Sequence, residues 1–452
     1  MRLPLLLRLR PSSRLLSSVL AIAGLGLIIG CVRLFSNDSE LLSAIAKLWL
    51  FGVSGFSILV IYDGLRREHE GDLSIDRKLP SSFALNRVQS IRFELANHGE
   101  RDLNVSLSDG VPDHFKGAVF PLRQQVSRGQ KGLFEYTVVP KRRGLAVFDQ
   151  AYMLIRSQYG FWDFIHRLGP RTESKVYPDF SAISNSFVFG VEQAMRNMGA
   201  HIARHKGEGM EFNQLREFRE GDTLKQVDWK ATAKFGAPIS KEYQEEKDQN
   251  IVFLLDCSRR MRAMENNLSY FDYALNALLM SSYIALDKGD AVGVKTFSGQ
   301  SSWLQPIKGK NSINTILNHL YALETSTQSS DYVTAAEELL VKHRKRSLII
   351  LMTNVRDEDN SDLQKAVEIL RQQHLVMVVA LQERLLENVD DMPITDLNEA
   401  LLYGGIKQFE QNRKKMLSLL KAQGVSVVDA THKNIHIQLV TEYLRLKQFG
   451  RI

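Results

Sequence analysis

Cysteine is nearly missing: the 452 residues hold two, Cys31 inside an apolar run and Cys257 in a predicted strand. This excludes a disulfide framework and points to a reducing compartment. Also absent are a Walker A phosphate loop, a Gly-x-Ser-x-Gly elbow and any catalytic cysteine–histidine pattern. Without a phosphate cradle or a nucleophile, the chain is expected not to be an enzyme. What is present is 44% hydrophobic and 24% charged, an ordinary globular mixture with room for about three domains. The mean hydropathy of −0.18 averages two unlike parts, because the apolar part sits at the start. The net charge of +7 does not call for nucleic acid. Arg2, Arg8, Arg10 and Arg14 precede the first apolar run, where a membrane explains them better.

Leu15 to Val32 runs 18 residues without a charge, and Leu41 to Tyr62 runs 22 interrupted by Lys47 alone. Both reach the about 20 residues that a ~30 Å hydrocarbon core demands. Lys47 lies near one end of its run, from which its stem reaches the interface. The short loop Arg33 to Glu40 forces a hairpin. The arginine-rich N-terminus, with Arg66 and Arg67 after the second run, marks both ends as cytoplasmic. A cleaved signal peptide has the same order of charged and apolar regions, but a second span follows here. Ile28-Ile29-Gly30-Cys31 resembles a lipoprotein cleavage box; even with Cys31 lipidated, the second span would return the chain to the cytoplasm. A buried helix pair would show a polar face, and these runs show none. Gly24, Gly26 and Gly30 within the first span are expected to pack helices.

From Leu73 to about Tyr177 the pattern becomes short alternating runs, Val88 to Leu95, Leu103 to Leu107, Gly132 to Val139 and Ala151 to Ile155, broken by turn residues. Period two predicts antiparallel strands packed as a small β-sandwich. From Ile251 strands alternate with helices, predicting a doubly wound α/β domain with ligand sites at the carboxyl ends of parallel strands. The expected boundaries are 1–68 for the tail and hairpin (spans 15–32 and 41–62), 73–180 for the sandwich, 181–250 for a linking segment and 251–452 for the α/β domain.

The first α/β strand ends on Asp256-Cys-Ser258-Arg-Arg260, placing a carboxylate and a hydroxyl two residues apart on the following loop. Hard cations such as Mg²⁺ want oxygens placed in this way. Here the chain resembles a von Willebrand factor A-like domain, whose metal site uses Asp-x-Ser-x-Ser, a threonine from a second loop and an aspartate from a third. The resemblance puts Ser330 at the threonine position and Asn354 at the aspartate position. Arg260 stands in place of the second serine, a fixed cation against the expected ion. A degenerate site formed by Asp256, Ser258, Ser330 and Asn354, with weak or absent metal, is the expectation; Mg²⁺ is the alternative cofactor.

Gly209 to Lys234 carries Glu211-Phe, Leu215-Arg216-Glu217-Phe218, Gly221-Asp222 and Val227-Asp228-Trp229-Lys230. Gly221-Asp222 reads as a tight turn, with Asp222 or Thr223 capping the helix that follows. Two readings of the segment stand. One is an internal strap with its charges in pairs and Trp229 in the core. The other is a partner-docking surface, since Trp and Arg dominate interface hot spots. The segment resembles the signature of the bacterial family known as domain of unknown function 58, approximately Gly-x-Glu-Phe-x-x-Leu-Arg-Glu-Tyr-x-x-Gly-Asp-x-x-x-x-Ile-Asp-Trp-x-x-Ser-Ala-Arg. Phe218, Thr232 and Lys234 depart from it conservatively. The two spans, Pro140-Lys-Arg-Arg143-Gly144, the Tyr159-Gly160-Phe161 turn and the A-like domain extend the resemblance over nearly the whole chain. It implies a membrane-anchored interaction factor in the bacterial inner membrane, its soluble domains cytoplasmic, working with a MoxR-type AAA+ ATPase in a chaperone-like system. The signature residues Glu211, Arg216, Glu217, Gly221, Asp222, Asp228, Trp229 and Lys230 are the implied docking set. His201 with His205, and His432 with His436, lie four apart, but neither pair brings the third ligand that zinc needs.

Overall fold

Apolar residues on every face form α1 (Ser13–Phe35) and α2 (Ser39–Leu65), which the rest of the chain leaves almost wholly unburied. Each contains a stretch long and apolar enough to cross a membrane, Ser13–Leu34 and Leu42–Leu65. Unburied apolar helices are not the core of a soluble domain, so the buried-pair alternative does not hold. The computed structural model describes residues 9–35, 39–65, 73–169, 171–179, 211–219, 222, 224–244, 249–356, 358, 360–383 and 396–448. Of the three glycines expected to pack helices, Gly26 does so: a Cβ there would sit 2.5 Å from the ring of Trp49, whose indole donates to the Ile22 carbonyl at 3.3 Å. Gly24 and Gly30 have open space around them.

The chain forms two units, Met1–Val176 and Tyr177–Ile452. In the first, β2 (Leu73–Lys78), β4 (Gln89–Asn97), β8 (Lys131–Pro140) and β6 (Phe115–Lys116) make one antiparallel sheet. The second sheet contains β1 (Leu9–Pro11), β10 (Trp162–Leu168), β9 (Gly144–Arg156), β11 (Thr172–Tyr177) and β3 (Phe83–Ala84), with β5 (Leu103–Gly110) and β7 (Leu122–Val126) branching from it. Strict alternation in β8, exposed then buried, shows one wet and one packed face. A buried charge joins the sheets. Arg77 on β2 reaches Asp109 on β5 at 2.5 Å, donates to Thr172 Oγ1 at 2.8 Å and lies over the rings of Phe93 and Phe148. The Tyr136 hydroxyl donates to the other oxygen of Asp109.

The loop between β9 and β10 grips both helices of this unit. Asp63, near the end of α2, accepts from the Ser157 hydroxyl at 2.5 Å and from the amides of Tyr159 and Phe161 at 3.1 and 3.2 Å. The Trp162 indole donates to the Val60 carbonyl at 2.9 Å. Ser12, just before α1, bonds the Gly160 carbonyl through its hydroxyl and the Phe161 carbonyl through its amide. Gly160 adopts φ +79°, a left-handed conformation that glycine takes without strain. The start of α1 and the end of α2 therefore lie side by side, as a hairpin requires.

In the second unit β12 (Glu211–Glu217) pairs with β13 (Ile239–Gln244), and the short α3 (Trp229–Phe235) lies between them in sequence. A six-stranded sheet follows, built from β14 (Asn250–Asp256), β17 (Ala291–Phe297), β18 (Trp303–Ile307), β19 (Leu348–Thr353), β20 (Leu375–Leu381) and β21 (Ser426–Ala430). Its order is β18-β17-β14-β19-β20-β21, parallel except at the β18 edge. A separate two-residue pair, β15 (Met264–Glu265) and β16 (Leu268–Ser269), precedes the first helix. Central strands are buried on both faces, so they read as continuous apolar runs. Ile251, Phe253 and Leu255 point to the side covered by α4 (Tyr270–Asp287), α5 (Ile313–Leu320) and α9 (Ile435–Gln448). Val252 and Leu254 point to the side covered by α6 (Tyr332–Lys342), α7 (Asn360–Arg371) and α8 (Leu397–Ala422). The architecture is mixed α/β, with helices on both faces of a mainly parallel sheet. The chain leaves β14 for β17 on one side and returns to β19 on the other, so a topological switch point lies at the carboxyl end of β14.

Candidate functional site

Asp256 is the last residue of β14 and sits at that switch point, with no exposed surface. Its Oδ1 accepts from the Ser258 amide at 2.8 Å. Its Oδ2 accepts from the hydroxyls of Ser330 at 2.8 Å and Thr353 at 2.7 Å. The Ser258 and Ser330 hydroxyls stand 3.0 Å apart, and Tyr332 extends the chain of hydroxyls to Thr353 at 2.9 Å. The loop after β14, the approach to the helix at Tyr332 and the end of β19 thus converge on one carboxylate through one amide and two hydroxyls. Burial pushes the Asp256 carboxyl above its ordinary range, while Thr353, the Ser258 amide and Ser330 pull it back. Burial, reinforced by Asp256, pushes the Tyr332 phenol up to about 12.

Three of the four residues expected at a degenerate metal site are therefore together, and the fourth is not. Asn354 turns away and donates to Glu383 at 3.1 Å. Its place is taken by Thr353, because a strand alternates its side chains and a one-residue shift selects the opposite face. The buried guanidinium of Arg260 donates to Glu358 at 2.9 Å, and its charge lowers the Tyr332 phenol that burial and Asp256 raise. The donor set suits a cation poorly: Asp256 is the one carboxylate in the cluster, and both its oxygens already take protein donors. Glu383 and Glu358 are held by Arg356 and Arg260. Among the described residues no group of three or more His, Cys, Asp or Glu side chains could hold a metal. His432 hydrogen-bonds Asn266 at 3.2 Å beside the Tyr273 ring, while His201 and His205 lie outside the described residues.

The run of charges at and after β12 is partly architecture. Arg216 grips Asp222 with two parallel bonds of 2.7 and 2.8 Å, and Asp222 also accepts from the Arg219 amide at 2.9 Å. The Arg216 guanidinium holds the Asp222 carboxyl down at about 2. Gly221 and Thr223 lie outside the described residues, as does the side chain of Glu211. The helix Trp229–Phe235 is capped by Asp228, whose Oδ1 accepts from the amides of Lys230 and Ala231 at 3.0 and 3.1 Å, while Asp222 is taken up by Arg216. The Ala231 amide and Lys241 lower the Asp228 carboxyl. Gly236 ends the helix at φ +69°. Trp229 is not in the core. It is 68% exposed, and Leu224, Phe235 and Lys230 are exposed with it, because the short helix buries Ala231 instead and Val227, just before it, bridges to Ser240 of β13.

Residues 214–417 match the family described as "Protein of unknown function DUF58". No curated protein matches the chain. Among solved structures, an aerotolerance-related membrane protein from Bacteroides fragilis, carrying multiple mutations to serines, is similar at 15% identity over 44% of this chain and 98% of that one, with a TM-score of 0.28. The ASH/PapD-like domain 7 of human CEP192 is similar at 12% identity over 25% of this chain and 90% of that one, with a TM-score of 0.19. Salmonella alpha-2-macroglobulin is similar at 11% identity over 23% of this chain, with a TM-score of 0.19, and this chain spans 7% of its length.

Proposed function

We propose, from the premise that the chain belongs to the DUF58 family through residues 214–417, that it is a membrane-tethered assembly factor that docks a partner and performs no chemistry of its own. The α/β unit is read as a von Willebrand factor A-like interaction module. The two apolar helices are read as a hairpin in the bacterial inner membrane, with the soluble parts in the cytoplasm. The partner is taken to be a MoxR-type AAA+ ATPase, so any ATP is hydrolysed by the partner.

One observation supports the docking reading above the others: Trp229 is exposed at the head of a helix that Asp228 caps, next to a turn closed by Arg216 and Asp222. A large aromatic held out on a rigid frame contributes contact area with little entropy left to lose, which is what an interface hot spot needs. Affinity capture from native membranes tests it. Wild type is expected to capture an AAA+ ATPase and Trp229→Ala to lose at least tenfold of it. No ATPase with wild type, or equal capture by the variant, overturns the reading.

The oxygen cluster favours a second reading, a ligand-binding module working through Mg²⁺ on Asp256, Ser258 and Ser330. It requires the metal to displace donors that Asp256 already has. Thermal unfolding of the full chain is expected not to shift with Mg²⁺ or EDTA. A rise with Mg²⁺ that Asp256→Asn abolishes would establish the second reading instead.

A further inference from the structure

We infer that the cleft beside the start of α1 binds the phosphate headgroup of an anionic phospholipid; the inference rests on the reading of α1 and α2 as membrane spans. The cleft encloses about 1100 Å³ within the first unit. Arg10 and Arg14 line it from the approach to α1, and Arg123 and Arg156 line it from β7 and β9. Its one lining carboxylate, Asp163, is engaged by Arg156 at 3.2 Å. Three guanidinium groups therefore remain against a single satisfied acid, and the positive end of α1 adds to the same field.

Arginines flanking a span would be expected for topology alone. Arg123 and Arg156 are not of that kind, since they belong to sandwich strands far from either span in sequence. The fold brings them to the same cleft as Arg10 and Arg14. Depth selects a lipid over a free anion: Leu16, an exposed apolar residue inside the first span, also lines the cleft. The loop of residues 157–162 fixes this level, with Trp162 bonded to Val60 of α2 and Ser12 bonded to Gly160 and Phe161. Tyr159 and Trp162 on that loop are the residue types that settle at a headgroup layer. A cleft polar at one end and apolar at the other, at that level, matches a headgroup with its acyl chains. Fork-shaped guanidinium groups suit a phosphate diester.

The test uses the full chain in mild detergent, with phosphatidylglycerol, phosphatidylcholine and inorganic phosphate as probes followed by native mass spectrometry. Phosphatidylglycerol is expected to bind in preference to phosphatidylcholine, and inorganic phosphate not to displace it. Arg123→Gln should weaken phosphatidylglycerol about fivefold, the share of one cation near an anionic headgroup, and Arg123→Lys should restore most of it. Arg128→Gln, an exposed arginine of the same unit outside the cleft, should change nothing. Equal binding of the two lipids, displacement by inorganic phosphate, or an unchanged Arg123→Gln overturns the lipid site. Alkaline extraction of native membranes separates the two levels: release of the chain would sink the membrane reading itself, whereas retention without lipid preference sinks only this inference.

Discussion

In the sandwich unit the buried carboxylate of Asp109 meets the guanidinium of Arg77, whereas in the α/β unit the buried carboxylate of Asp256 meets two hydroxyls and one amide. A third buried acid, Asp290, follows the first pattern, with Lys447 at 2.6 Å and the Tyr443 hydroxyl at 2.5 Å. Asp109 and Asp290 are pins: each joins separate elements through a full opposite charge, Asp109 across the two sheets and Asp290 to α9. Asp256 sits at a switch point, and the donors described on it are two hydroxyls and one amide, all dipoles. Asp63 is held in the same way, by one hydroxyl and two amides, and serves to grip α2, so dipolar compensation alone does not mark a site. What sets the Asp256 cluster apart is its place at the carboxyl end of β14, at the switch point where open α/β sheets hold ligands.

The largest effect should come from breaking a pin. Arg77→Met leaves Asp109 buried beside an apolar side chain and should lower stability by about 3–5 kcal/mol in denaturant unfolding. A loss below about 1 kcal/mol would show that Asp109 is solvated in solution and would erase the contrast with Asp256.

Asp256→Asn should be milder, about 1 kcal/mol, because hydroxyls rotate and can accept from an amide as readily as they donate to a carboxylate. The sharper readout is pH. Burial raises the Asp256 carboxyl in the folded state. The folded protein therefore holds its proton to higher pH than the unfolded chain does. The stabilisation is complete below the unfolded value of about 3.9 and is lost as pH rises through the raised folded value. Unfolding free energies measured across that window should fall less steeply with rising pH in Asp256→Asn than in wild type. Identical slopes would mean that burial does not raise the Asp256 carboxyl as described.

The Asp256 side of this contrast was legible in the sequence, whereas the pairs Arg77–Asp109 and Lys447–Asp290, each joining residues distant in the chain, were not. The run Ile251 to Leu255 ending on Asp256 announced a two-face-buried parallel strand with a carboxylate at its carboxyl end, because burial on both faces leaves no polar alternation. Ser258 followed from its spacing to Asp256, and Ser330 from the resemblance to an A-like domain. Thr353 was passed over because the resemblance put the third position at Asn354, whereas side-chain direction at a strand end depends on where the strand stops, and β19 ends on Thr353. The edge strand β18 and the short α5 went unread: Trp303–Ile307 has little of the apolar continuity of a central strand, and eight residues give weak periodicity. Trp229 was open to two readings because a large aromatic favours burial by composition. Its exposure follows from the cap at Asp228, which starts the helix with Trp229 outward, a tertiary fact that spacing alone does not carry.

The smallest stability effects should come from the signature segment, and their split separates frame from surface. Arg216→Ala removes both bonds to Asp222, a partly exposed pair, and should destabilise by about 1 kcal/mol or less. The Asp222 carboxyl, now near 2, should rise toward its ordinary range in an NMR titration. Because that value is depressed in the fold, the pair stabilises above the ordinary carboxylate range and the benefit is lost as pH falls toward about 2. Trp229→Ala touches no such bond and should leave stability within about 0.5 kcal/mol, since its side chain is mostly in water. The order reverses in partner capture, where Trp229→Ala should lose most and Arg216→Ala should lose only what the loosened turn misplaces. If Trp229→Ala instead unfolds the segment while capture by the remaining folded protein is unchanged, Trp229 is part of the frame, and the exposed face has to be sought around Leu224 and Phe235.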